Sequence, residues 1–174
     1  MAIGTRIQKA RKRLGMSQQE LADDSFIHRS LVSKHESGER TCHRENWKDY
    51  VKGMDDARFT LDVHAEATGG VYIPYLDGDY VTHDIAALIY LSKREIEIAL
   101  QHMDDIDASK PATMLSEIEV DHIKKTNKEL LDVCAATMTL VIDNCTAHNL
   151  SFNQEVKNWI ATLKARRLMM RENL

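Results

Sequence analysis

Two kinds of side chain in this sequence have types that chemistry uses: metal ligands and cations able to bind phosphate. There are eight histidines and three cysteines, and "TCHRENW" sets Cys42 beside His43. A metal needs several such donors at fixed spacing, of which C-x-x-C and H-E-x-x-H are the common local forms, and neither occurs. Cys42, Cys134 and Cys145, an odd number, read as reduced thiols. The sequence has no G-x-S-x-G turn, phosphate-binding glycine loop or signature pair of carboxylates, so an enzyme is not expected and no metal or cofactor is assigned. The cations are more informative. Up to Met54 there are 11 Lys and Arg against 7 Asp and Glu, whereas the remainder has 12 against 20. The net charge of −4 thus conceals a basic end suited to phosphate and an acidic end that phosphate repels.

The elements that position these cations are helical. With 174 residues, 43% hydrophobic and 29% charged, and only two prolines, the chain is expected to fold as one domain or two small ones. No unbroken apolar run approaches the roughly 18 residues of a membrane helix, and no apolar leader follows the first charges, so the expected location is cytoplasmic, with no membrane partner. Ile3, Ile7, Ala10 and Leu14 mark one face of a first helix that ends at Gly15, with Arg6, Lys9, Lys12 and Arg13 opposite. Ser17 and Glu20 form a capping box that starts a second helix, running to about Asp24. A third is expected from near His28 to Gly38, a fourth around Trp47 and Tyr50, and a fifth over about 55–67. The fold class is therefore all-α, with a five-helix domain over 1–67.

The stretch "SQQELADDSFIHRSLVSKHESGER", residues 17–40, preceded by "RIQKARKRLGMS", resembles the Xre family, the helix-turn-helix of phage Cro and repressor proteins. The matching segments are "SQQELA" and "RSLVSKHESGER", and the resemblance covers residues 3 to about 66. It implies double-stranded DNA as partner: the first helix of the pair crosses the phosphates, and the second lays its N-terminal residues along base edges in the major groove. Carried over by position, His28, Arg29, Ser30, Ser33 and Lys34 become base or near-base contacts. Arg29 leads them, because a guanidinium pairs with guanine through two hydrogen bonds. Gln18 at the start of the second helix, and Arg40, Thr41 and Arg44 beyond the third, become phosphate contacts. Arg11 and Glu36 become a structural ion pair. The sequence departs from the family at Phe26, where glycine is usual, and at Ser25 and His35, where large aliphatics are usual. The expectation is that Phe26 supplies the core volume those two withhold, through a slightly different turn, and that DNA binding survives.

The texture changes at "TGGVYIPYLDGDYVT", which suits a short strand at 71–76 or an extended connector. Residues 68–110 read as this connector followed by a helix from about Thr82 to Asp107, packed on the DNA-binding domain or offering a site to a regulatory peptide. A long helix over about 112–147 and a last one opened by a second capping box, Ser151 with Gln154, make 111–174 a helical hairpin. Val120, Leu131, Cys134, Met138, Val141 and Cys145 alternate at spacings that continue one apolar stripe, and Phe152, Trp159 and Leu163 mark another. Two helices cannot enclose a core of this width, so the expectation is self-association through Leu131, Met138, Val141, Phe152, Trp159 and Leu163, as dimer or tetramer. The resemblance implies a transcriptional regulator, a repressor of phage, plasmid or other mobile-element type, relieved by an antirepressor protein or peptide, with tetramers able to loop DNA. The rival readings are an antitoxin that masks a toxin through its C-terminal helices, and an interaction protein whose helix-turn-helix no longer reads DNA.

Overall fold

The computed structural model describes residues 2–107 and 109–170. Regular structure among them is entirely helical: eight α-helices and two single 3-10 turns, with no strand. The contacts gather the chain into two compact units, one of residues up to 72 together with those from 148 on, the other of residues 73–147.

In the first unit, α1 (Ile3–Arg13), α2 (Gln18–Ser25), α3 (Arg29–Ser37), α4 (Trp47–Met54) and α5 (Ala57–Ala67) follow one another closely. Their starts come from local chemistry. Glu20 N–H donates to Ser17 Oγ at 3.1 Å while Ser17 N–H donates to Glu20 Oε2 at 2.6 Å, which completes the capping box. Asp56 caps α5 by accepting from Phe59 N–H at 2.7 Å. The core gathers Ile3, Ile7, Leu21, Val32, Tyr50 and Phe59. Leu14, expected to continue the α1 stripe, is exposed because it is the residue that ends that helix.

Ser25, Phe26 and His35 behave differently from the sequence reading. Ser25 and His35 are buried, whereas Phe26 is 95% exposed and gives the core nothing. Backbone proximity explains Ser25: a Cβ placed on Gly53 of α4 would come within 2.4 Å of Ser25 Oγ, so a larger residue at 25 has no room. Likewise a Cβ on Gly4 would meet the His35 carbonyl oxygen at 1.9 Å, which sets α1 against α3 at close range. The volume at 35 is filled by the imidazole itself. His35 Nδ1 shares a 2.8 Å hydrogen bond with the Tyr50 hydroxyl, their rings edge to face. Burial lowers the His35 pKa, aided by the charges of Arg40 and His43.

The last helix, α8 (Phe152–Ala165), belongs to this first unit. Ser151 caps it, yet the Gln154 amide donates to Asn158 instead of reaching back to the cap, so the second expected capping box is half formed. Asn153 N–H donates to Asp55 Oδ1 at 3.0 Å, its amide donates to the Val51 carbonyl at 3.2 Å, and Phe152 is buried. These ties draw α8 to the end of α4, which is why the units do not follow the division at residue 111.

In the second unit, α6 (Ile85–Asp104) and α7 (Glu117–Ala147) pair. Asp84 caps α6, and Thr126 donates to the His102 carbonyl at 3.0 Å. Residues 71–76 form no strand. Instead Leu76 N–H donates to Thr139 Oγ1 at 3.0 Å and the Tyr75 hydroxyl donates to Asp143 at 2.7 Å, so these connector residues lie along α7. By length and composition alone α7 qualifies as long and apolar enough to cross a membrane, with an 18-residue window of mean hydropathy 1.3, a third of it (33%) buried in the fold. The sequence reading looked for an unbroken apolar run, whereas in α7 Leu, Val, Ile, Ala and Cys hold the average up across a stretch that Asp132, Asp143 and Asn144 interrupt.

Candidate nucleic-acid interface

The site begins with the two faces of α3. Val32, His35 and Glu36 point inward and are buried, which forces the residues between them outward. Arg29, Ser30, Ser33 and Lys34 are all exposed on one helix of nine residues. His28 stands just before them as the N-cap residue, exposed and making no side-chain cap, so its imidazole is not committed to the helix start. The helix ends at Gly38, whose φ of 79° is the left-handed geometry that glycine adopts without strain. Arg40 N–H then donates to the Lys34 carbonyl at 3.1 Å, fixing the exit, and Arg40 and Thr41 are exposed beyond it.

The inward face is anchored electrostatically. Arg11 of α1 donates through Nε to Glu36 Oε1 at 2.6 Å and through Nη2 to Oε2 at 2.9 Å, and its remaining fork reaches the Met16 carbonyl at 2.7 Å. The Glu36 side chain is 1% exposed. Burial by itself raises its pKa, but the hydrogen bonds from Arg11 and Gln18 outweigh this and hold it below the ordinary value.

Residues 7–52 match the helix-turn-helix family model. No curated protein and no solved structure matches the chain. The matched segment begins within α1 and ends within α4, and so encloses the α2–α3 pair with its supports. This segment is a helix-turn-helix of the Xre type. At the level of the family, the match supports a DNA-binding transcriptional regulator.

Within the helix-turn-helix, two of the residues expected to touch phosphate have other partners as well. The Gln18 amide donates to Glu36 Oε2 at 2.9 Å, which orients it at the N-terminus of α2. The Arg44 guanidinium lies over the Trp47 ring, 5.5 Å from its centre, and donates to the Ala67 carbonyl at 3.3 Å. The basic face of α1 is also less available than its composition suggested. Arg13 pairs with Asp56 through two bonds of 2.6 and 2.9 Å, and Arg6 reaches the Asp62 carboxylate at 3.2 Å and Glu66 at 3.7 Å. Those acids lie more than forty residues along the chain, so no local pattern announced them.

The turn has the left-handed geometry that suits a glycine, in spite of Phe26. Phe26 has φ 55° and ψ 35°, the left-handed conformation, and Ile27 N–H still donates to the Ala22 carbonyl at 2.9 Å. A bulky residue there costs about 1 to 3 kcal/mol. Phe26 therefore occupies the conformation expected of a glycine and does not fill the core from it.

Elsewhere Glu95, Glu129 and Asp132 bring carboxylate oxygens within 4.8 Å of one another. Lys128 bonds Glu129 and Asp132, and Arg94 bonds Glu95, so the protein's own cations already answer that charge.

Proposed function

We propose that this protein is a repressor of the phage or mobile-element kind that binds paired half-sites as an oligomer. The observation that carries the reading is the outward row Arg29, Ser30, Ser33 and Lys34 on a helix whose other face is locked down by Arg11 and Glu36. In this reading His28 joins the row at base edges, and Arg29 pairs with guanine in the major groove. Gln18, Arg40, Thr41 and Arg44 hold the flanking phosphates and set the register. A chain with this role works in the compartment that holds its DNA.

Self-association joins the subunits through the stripe on α7. Leu131 is 58% exposed, Val141 is also exposed and Met138 is half-buried. Trp159 and Leu163 of α8 add apolar surface, whereas Phe152 is taken up by the core of its own unit. Joining two reading heads raises the effective concentration of the second once the first is bound, by about 10²- to 10⁴-fold in overall affinity. A tetramer extends the same logic to two operators joined by a DNA loop.

Selection from a random pool of DNA duplexes tests the proposal. The expected product is an inverted pair of short half-sites with centres about one helical turn apart, or a multiple of it. A lone half-site contradicts the oligomeric mode, and a pool that yields no preferred sequence contradicts the reading of DNA.

A further inference from the structure

Phe26 violates two rules at once without local compensation. Its backbone is left-handed, at φ 55°, and its side chain is 95% exposed, so the residue spends conformational energy and buries nothing. Glycine fits the same turn without strain. Strain that persists with no packing return points to a use outside the folded chain. The ring lies in the α2–α3 turn, two residues before His28 and three before Arg29, and with Gln19, Asp23, Ile27, His28 and Arg29 it lines an open surface depression of about 350 Å³. This surface is continuous with the row of side chains assigned to base edges.

We infer that Phe26 is a specificity residue that packs against a thymine 5-methyl group at the edge of each half-site. The chemistry favours this partner. Among the groups that base pairs display in the major groove, the thymine methyl is the apolar one, and aromatic contact with it is an established mode of reading. His28 and Arg29 supply hydrogen-bond donors beside it, and the ring adds what they lack, a preference for T over C at a position where no donor is needed. The inference rests on the DNA-reading proposal above and adds a residue to it.

The test uses the full-length chain, its Phe26→Gly variant and the duplex selected by the wild type, with each thymine replaced in turn by deoxyuridine. That exchange removes the methyl group and leaves base pairing and backbone unchanged. The variant is expected to melt at or above the wild-type temperature, since glycine relieves the turn. At one thymine per half-site, deoxyuridine should weaken wild-type binding roughly three- to ten-fold, the scale of one buried methyl group. Phe26→Gly should bind the thymine duplex weaker by the same factor and lose nothing further at that deoxyuridine. Identical deoxyuridine profiles for the two proteins overturn the inference, whether the variant binds as well as the wild type or is uniformly weaker through lost contact with the sugar–phosphate backbone. Failure to select any sequence overturns this inference and the DNA-reading proposal together, so the two failures are distinguishable.

Discussion

The five N-terminal helices and the α6–α7 pair bury their apolar residues in opposite ways. The first group closes over large side chains, Ile7, Leu21, Tyr50 and Phe59 all being fully buried. The second buries mostly small ones, Ser92, Ala99, Ala135, Ala136 and Thr139 among them, while Ile118, Leu131 and Val141 stay exposed. Leu88 and Ile142 are its two fully buried large apolar side chains among the described residues, so a helix pair of this kind satisfies its backbone and leaves several other large apolar groups unspent. The contrast teaches that one region is built to be complete in a single chain and to present polar side chains on a fixed frame. The other leaves apolar side chains exposed, which in our proposal another copy of the chain covers.

The comparison breaks most sharply at Glu36. Glu36→Ala leaves Arg11 facing a buried gap, and loss of one partner of such a pair should cost about 3 to 5 kcal/mol, read from urea unfolding followed at the N-terminal domain. A loss under about 1 kcal/mol would show that the frame does not depend on this pair. The complementary change is Leu131→Glu on α7. It should leave that unfolding transition in place and convert the assembly to smaller species by sedimentation, with DNA affinity falling about 100-fold or more as avidity is lost. An unchanged sedimentation profile would remove α7 from the interface.

A smaller effect sharpens the picture of the N-terminal core. Because burial sets the His35 pKa below its ordinary value, the unfolded chain takes up that proton first. Stability present above about pH 6.5 should therefore drain as pH falls below it, by at most about 1.4 kcal/mol per pH unit, until the folded-state pKa is reached. Glu36, whose pKa is also lowered, adds its own loss only as pH drops below about 4.3. His35→Leu should be less stable at pH 7, because it orphans the Tyr50 hydroxyl, yet it should flatten the slope between pH 7 and 5 so that the gap to the wild type narrows. A slope that survives the substitution assigns the pH dependence to other groups.

What the sequence disclosed was what short-range chemistry determines. Ser17 and Glu20 announced α2 through a three-residue spacing, and the α1 stripe of Ile3, Ile7 and Ala10 appeared as expected. The family pattern carried the Arg11–Glu36 pair. The features that stayed hidden depend on chain segments far apart. Ser25 is small because Gly53 approaches it, and His35 is tolerated because Tyr50 lies opposite. Asn153 draws α8 to Asp55 across nearly a hundred positions. Phe26 misled for another reason: an apolar ring suggests burial, while the direction it takes is set by a backbone angle that its own type does not favour.

The central claim is that exposed α3 reads bases. The most direct measurement is a fluorescence-anisotropy titration of the full-length protein and Arg29→Ala against the selected duplex, with excess unrelated DNA and at two salt concentrations. The account predicts wild-type binding that resists the competitor, weakens with salt as phosphate contacts require, and falls by roughly 5- to 150-fold in Arg29→Ala while non-specific binding changes little. Equal affinity of the two proteins for the selected duplex, or wild-type binding no tighter than to unrelated DNA, would contradict it.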